Sequence, residues 1–419
     1  MNKYGVIGKT LKHSFSKEIH EALFDMTYDI IELEPKEFIS FIESRKFLGV
    51  NITIPYKQDV IPMLDYIDEH AKNINAVNTV VNRNGVLSGY NTDYLGLMDL
   101  IKVNDIEIEG KNVLLLGNGG TSKTARYVLN LLKAKKVTVV SRGNEEGTIS
   151  FEDAKNVKDI NVIVNTTPVG MYPNNDGRII SLDNYPLLES VVDVVYNPLR
   201  TMLSIDAKNK GLKYAGGLYM LVSQAIYASE YFQDKEIDKL VISKIFKDIK
   251  SKRENIVLIG MPTSGKTTIG KLLQDTLNRD FVDSDEEITK LTGLTPSEYI
   301  TNKGIEEFRK VEANVIKELS KKQDVIISTG GGVILDKNNM DNLSQNGFVV
   351  FIDRPLELLK ASSDRPLSNT TADLEKRYNE RYELYRKYAD VVINNNQDIE
   401  YALKEIVKEF TRYEENTYR

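Results

Sequence analysis

A chain of 419 residues is too long for one ordinary core, so two or three domains are expected. Its formal net charge of -6 gives no basic field to gather nucleic acid, so any anionic ligand must be held by a few placed cations. With no cysteine and only three histidines (His13, His20 and His70), disulfides, thiolate chemistry and a Cys-type zinc site are excluded, and a histidine-rich metal site is not expected.

Residues 1–16 hold no long apolar stretch and read as strand and loop, not as a signal peptide. No apolar run approaches the ~20 residues that cross a bilayer. The expectation is a reduced, soluble, cytoplasmic protein without nucleic-acid or membrane partners. Short apolar runs then alternate with helical patterns, the mark of parallel sheets with crossover helices, so the predicted fold class is α/β. Runs at 113–116, 137–140, 162–164 and 191–195 predict buried strands of one sheet. Runs at 256–259, 325–328 and 349–352 predict strands of another. Between the two sets, 233–254 is charge-dense at helical spacing with neither Gly nor Pro. It predicts a last helix of the first part running into a short linker at 249–254.

The first glycine-rich turn is Gly117-Asn118-Gly119-Gly120-Thr121-Ser122, between an apolar run and a helical pattern through Ala125 and Leu129. Backbone N–H groups and a positive helix end can meet a pyrophosphate there. The spacing departs from strict G-x-G-x-x-G, with Lys123 or Thr124 where a third glycine or alanine is expected. A turn closing an ordinary βα unit is therefore the other reading. After the next run, Arg142 favours a ribose 2′-phosphate and hence NADP, whereas NAD sites usually carry an acid there. Glu145 and Glu146 follow closely and keep NAD open, as does Arg142 read as a solvated surface residue.

The second turn, Gly260-Met261-Pro262-Thr263-Ser264-Gly265-Lys266-Thr267, fits G-x4-G-K-[ST] between an apolar run and a helical pattern through Leu272 and Leu273. Its backbone cups phosphate, Lys266 reaches the β- and γ-phosphates of ATP, and the Thr267 hydroxyl can ligate Mg²⁺. Thr268 closes the same nucleotide loop.

Segments around the first turn resemble shikimate dehydrogenase over nearly all of 1–248. They are Gly8-Lys9-Thr10-Leu11-Lys12-His13-Ser14-Phe15-Ser16, Gly49-Val50-Asn51-Ile52-Thr53-Ile54-Pro55-Tyr56-Lys57, Ala76-Val77-Asn78-Thr79, Gly89-Tyr90-Asn91-Thr92-Asp93, Asn165-Thr166-Thr167-Pro168-Val169-Gly170-Met171, Asp193-Val194-Val195-Tyr196-Asn197-Pro198 and Gly217-Leu218-Tyr219-Met220-Leu221-Val222-Ser223-Gln224. The resemblance implies Lys57 and Asp93 as an acid/base dyad, since a reduced carbonyl oxygen needs a proton. It implies that Asn51, Thr53, Asn78 and Gln224 hold substrate hydroxyls, and that Ser14, Ser16 and Tyr196 hold a carboxylate. Gly117, Asn118, Gly119, Gly120, Thr121, Arg142, Thr166, Met171 and Gly217 would line the NADP site. Read alone, Lys57–Asp93 is as well a surface ion pair. Tyr94, Asn118, Thr121 and Gly143 depart from the family pattern.

The rest, 254–419, resembles shikimate kinase. Asp283-Ser284-Asp285 resembles its D-x-D, which implies Asp283 at the metal and Asp285 at the hydroxyl to be phosphorylated. Phe308-Arg309-x-x-Glu312 and Arg381-x-x-x-Tyr385 imply two arginines, Arg309 and Arg381, gripping one carboxylate with planar charge-assisted bonds. Gly330-Gly331-Gly332 ends a strand beside the acceptor. Asp364-Arg365-Pro366-Leu367 resembles a lid whose Arg365 meets phosphoryl charge. Ile305 and a short lid depart from the pattern.

The implied architecture is a two-lobed dehydrogenase with a Rossmann-type lobe, then a P-loop α/β kinase with a lid. The implied bounds are 1–98 plus 222–248 for the substrate lobe, 99–221 for the NADP lobe and 254–419 for the kinase. The expected function joins NADPH-dependent reduction of 3-dehydroshikimate to ATP- and Mg²⁺-dependent phosphorylation of shikimate, both small-molecule substrates. The rivals are an NAD-preferring quinate/shikimate dehydrogenase fused to a kinase of other acceptor preference, and a sensor without catalysis. Oligomeric state is not legible.

Overall fold

The computed structural model describes residues 4–11, 15–24, 27–143, 145–359, 370–396 and 398–416. Ser14 and Arg365, two of the expected site residues, lie outside them. The chain divides between Asp248 and Ile249 into two compact units.

The first unit is built on two sheets. The N-terminal sheet has the strand order Tyr28–Glu32, Tyr4–Gly8, Gly49–Ile52, Thr79–Arg83, Val86–Tyr90, Tyr66–Ile67. It is mixed: Tyr4–Gly8 pairs in parallel on both sides, while Thr79–Arg83 runs antiparallel to both neighbours. Ile7, Val50, Ile52, Val80 and Leu87 form its core with Phe38 and Ile42 of helix Pro35–Ser44. The second sheet is wholly parallel, ordered Lys213–Gly216, Ser190–Asp193, Val162–Asn165, Asn112–Leu116, Lys136–Val140, Thr148–Ile149. Its strands read as continuous apolar runs because helices cover both faces. Chain order reverses direction between Asn112–Leu116 and Val162–Asn165, which makes a crevice at their carboxyl ends.

The second unit holds a five-stranded parallel sheet, ordered Asp280–Asp283, Val325–Ser328, Asn255–Ile259, Gly347–Asp353, Val391–Asn394. One face packs Val257, Ile259, Ile327, Val349 and Phe351 on Phe308, Ile316 and Tyr385. The other packs Ile256, Leu258, Phe348 and Val350 on Leu273, Ile406 and Phe410.

All seven runs expected to be strands are strands, with two differences. The run at 191–195 leaves the sheet after Asp193, because the Asp193 carboxylate accepts the Val195 N–H at 3.1 Å and turns the chain. The charge-dense stretch 233–254 is not one helix with an open linker. Helix Leu218–Gln233 stops at left-handed Asp234, and a separate helix, Leu240–Ser251, carries through 249–251. Ile249 and Glu254 are buried, and Glu254 pairs with Lys250 while accepting from Tyr413 at 2.9 Å.

Candidate active sites

At the carboxyl end of the N-terminal sheet, strand Gly49–Ile52 presents Asn51, and the turn beyond it carries Lys57. Asn78 sits just before strand Thr79–Arg83, Asp93 opens helix Asp93–Val103, and Gln224 projects from helix Leu218–Gln233. Lys57 Nζ donates to Asp93 Oδ2 at 2.6 Å. Asn78 Nδ2 lies 2.9 Å from Asp93 Oδ1 and 3.3 Å from Gln224 Oε1. Asn51 Nδ2 donates to Thr79 Oγ1 at 3.1 Å, which donates to Asn78 Oδ1 at 3.0 Å. Five of the expected residues are thus brought into one network.

The sequence reading missed the groups that fix these amides. Tyr28 donates to Asn51 Oδ1 at 2.6 Å, and the Thr92 N–H donates to Asn78 Oδ1 at 2.6 Å. Behind Tyr28, His20 stacks at 4.2 Å and bonds Ser229 through Nδ1 at 2.8 Å. Burial pushes the His20 imidazole down to about 3, so it is neutral. Only Thr92, which stands inside the motif Gly89-Tyr90-Asn91-Thr92-Asp93, carried a sequence signal. Thr53 follows the strand directly, and its N–H is used by Ile7 O at 2.9 Å. Ser16 opens helix Ser16–Leu23 in a buried position, and Phe15 meets the Tyr196 ring edge-on at 5.3 Å. Burial raises the Tyr196 hydroxyl above its ordinary value, leaving a neutral hydrogen-bonding group.

At the crevice of the second sheet, Gly117 takes φ 105° after strand Asn112–Leu116, and helix Gly120–Leu131 begins with free N–H groups and no side-chain cap. An anion at that end meets backbone donors and the helix dipole together. Thr166 Oγ1 binds Leu116 O at 2.7 Å and Ser122 Oγ binds Gly117 O at 2.6 Å, which fixes the turn from both sides. Gly217 is required by close approach: a Cβ there would lie 2.1 Å from Val194 O. Thr121 lies in the first helical turn, and Met171 is 41% exposed. Arg142 is exposed and makes no hydrogen bond or ion pair with the described residues, whereas Glu145 bonds Asn118. The residues fit a dinucleotide whose pyrophosphate sits on the turn.

In the second unit, Gly260, Thr263 and Gly265 take positive φ and curl the loop before helix Lys266–Leu277. Lys266 is buried and folds onto the Gly260 and Met261 carbonyls at 2.9 and 2.8 Å. Asn395, which sequence reading missed, donates to Ser264 O at 2.8 Å and braces the loop from the end of strand Val391–Asn394. Thr267 and Thr268 are exposed at the helix start, and Thr267 Oγ1 donates to Asp283 Oδ2 at 2.9 Å. These two hard oxygen donors are adjacent. As a pair they suit a Mg²⁺, whose other ligands would come from phosphate and water.

Asp283 Oδ1 also caps helix Ser284–Thr292 through the Asp285 N–H at 2.9 Å, and Ser284 Oγ accepts Gly330 N at 2.9 Å. The Asp285 carboxylate therefore lies against Gly330, where a Cβ would stand 2.8 Å from Oδ1. At Gly332 a Cβ would stand 2.2 Å from the Arg309 guanidinium. Arg381 Nη1 and Tyr385 Oη both donate to Gly331 O, at 2.9 and 2.6 Å. The glycine run thus gathers Asp285, Arg309 and Arg381. Glu312 pairs with Arg309, and burial raises its carboxyl despite that partner.

Comparison with known proteins agrees with both halves. The family model described as shikimate dehydrogenase substrate binding domain matches residues 6–80, and that described as shikimate kinase matches residues 262–412. The shikimate dehydrogenase (NADP(+)) of Clostridium beijerinckii is 38% identical over 262 residues, covering 59% of this chain and 97% of that protein. Shikimate dehydrogenase 1 from Peptoclostridium difficile is 35% identical with a TM-score of 0.56, covering 59% of this chain and 98% of its own. Shikimate 5-dehydrogenase from Thermus thermophilus, solved with NADP(H) and shikimate, is 28% identical with a TM-score of 0.53, covering 59% and 99%. Among the described residues no helix is long and apolar enough to cross a membrane.

Proposed function

The chain belongs to the shikimate dehydrogenase family through its first unit and carries a shikimate kinase domain in its second, and on that premise we propose that one polypeptide performs two successive reactions. The first reduces 3-dehydroshikimate to shikimate with NADPH, and the second phosphorylates the 3-hydroxyl of shikimate with ATP. The substrate lobe is 1–98 with 222–248, the cofactor lobe 99–221 and the kinase domain 254–419. The enzyme works in the cytoplasm, where both soluble cofactors are drawn on.

The observation that carries the first reaction is the Lys57–Asp93 pair, held by Asn78 beside Asn51 and Gln224. NADPH supplies the hydride, and Lys57, polarised by Asp93, passes the proton to the new alkoxide. The amides of Asn51, Asn78 and Gln224 and the Thr53 hydroxyl hold hydroxyls, while Ser14, Ser16 and Tyr196 take the carboxylate. For the second reaction, MgATP supplies the phosphoryl group on the loop 260–268. Asp285 orients the attacking hydroxyl and accepts its proton, Arg309 and Arg381 hold the carboxylate, and Lys266 and Arg365 meet the phosphoryl charge. Asp283 and Thr267 ligate the Mg²⁺.

The test supplies 3-dehydroshikimate, NADPH, ATP and Mg²⁺ and follows products by mass. The parent chain makes shikimate 3-phosphate. Lys57→Ala makes none unless shikimate is added, and Lys266→Ala accumulates shikimate. Phosphate formation from 3-dehydroshikimate by both variants would refute this division of labour.

A further inference from the structure

Helix Thr371–Tyr388 places residues four apart on one stripe, so Arg377, Arg381 and Tyr385 face the same way. Arg381 and Tyr385 are buried on the Gly331 carbonyl. Arg377, one turn earlier, shares with Arg381 a buried Nε that has no hydrogen-bond partner. Arg381 is still anchored through Nη1, whereas the Arg377 guanidinium makes no hydrogen bond or ion pair among the described residues. Arg309, by contrast, has Glu312, and Lys266 has two loop carbonyls.

The surroundings of Arg377 are unfavourable to a cation. Burial holds it below the ordinary arginine value, and repulsion from Arg381 and Arg309 adds to this, with only Glu380 and Asp373 of its own helix opposing. An unmade buried N–H is unfavourable, and clustered like charges add to that cost. Such an arrangement is expected where a ligand completes it. A carboxylate offers about four acceptor positions, enough for three guanidinium groups.

We propose that Arg377 is a third carboxylate-binding arginine of the kinase acceptor site, acting with Arg309 and Arg381. The inference rests on the shikimate kinase reading of the second unit. It makes acceptor selection depend on full negative charge at the carboxyl position, more steeply than a two-arginine grip would.

The experiment uses the full chain with Arg377→Leu and Arg377→Lys. Kinase KM and kcat are measured for shikimate and for its uncharged carboxamide at saturating MgATP, with NADPH oxidation as the check that the first unit is intact. In Arg377→Leu the KM for shikimate rises about tenfold or more, the loss expected for one charge-assisted bond, while kcat stays within about twofold. Preference for shikimate over the carboxamide falls by the same factor, and Arg377→Lys, lacking the planar fork, shows a smaller rise. The ligand-free unfolding midpoint of Arg377→Leu is not lowered, because a repelled cation is removed. Unchanged KM in both variants, an equal KM rise for both acceptors, or a loss of ligand-free stability would each overturn the proposal. Failure of the parent chain to phosphorylate shikimate would instead refute the underlying kinase reading, whatever the variants do.

Discussion

Lys57 Nζ and Asp93 Oδ2 stand 2.6 Å apart with side chains only 13% and 11% exposed, a geometry in which neither group acts alone. Exposed ion pairs contribute little, but a pair this enclosed has lost the competition from water. Lys57→Met and Asp93→Asn should therefore each lower kcat for 3-dehydroshikimate reduction by about 10²–10⁴-fold, and the double variant should be no worse than the poorer single. NADPH oxidation at saturating substrate reads this directly. Additive losses would show two independent roles. Phosphorylation of added shikimate should be unaffected in all three.

Two glycines separate a structural demand from a site demand. A Cβ at Gly217 meets the Val194 backbone at 2.1 Å, and backbone cannot step aside, so Gly217→Ala should destabilise the first unit by about 3 kcal/mol. A Cβ at Gly332 meets the far end of Arg309, which can move, so Gly332→Ala should leave the unfolding midpoint nearly unchanged. It should instead raise the kinase KM for shikimate, because Arg309 is displaced. Denaturant unfolding and kinase kinetics on the two variants test the contrast. Equal loss of stability in both would contradict it.

The motifs were legible because each is a local instruction: Gly117 and Gly265 must turn, and the apolar runs at 113–116 and 256–259 must be buried. The supporting groups were not. Tyr28 and Asn395 belong to no motif, and Thr79 closes one without a role of its own, until the fold places them against Asn51 and Ser264. Their partners lie 23, 28 and 131 residues away, beyond any local pattern. Arg377 escaped for another reason: helical arginines are commonly solvated, and only its neighbours Arg381 and Arg309 make it unusual.

In the proposed NADP site Arg142 makes no hydrogen bond or ion pair with the described residues, while Glu145 is engaged by Asn118. A free guanidinium at that strand end is available to a 2′-phosphate. Arg142→Ala should raise the KM for NADPH about tenfold and leave that for NADH within about twofold, one charge-assisted contact being lost. Parallel rates with both reductants supply the measurement. An equal effect on NADH would assign Arg142 to the turn's structure and leave 2′-phosphate recognition elsewhere.

Two buried groups of the first unit oppose each other as pH changes. Burial raises the Asp193 carboxyl from 3.8 to about 6, although Thr201, Val195 and Asn165 all donate to it. Its folded form holds the proton more tightly than its unfolded form, so this contribution is complete below about 4 and is lost as pH rises to about 6. His20, lowered from 6.5 to about 3, does the reverse: its contribution is present above 6.5 and lost as pH falls. Between about 4 and 6 the two slopes therefore cancel in part. Asp193→Asn removes one of them, so stability relative to the parent should grow from pH 4 to pH 7, on the order of 3 kcal/mol at most for two pKa units. Calorimetric unfolding of both proteins across that range gives the difference directly, free of every group they share. A difference that does not change with pH would mean that Asp193 is charged in the folded state throughout, with its three donors outweighing burial.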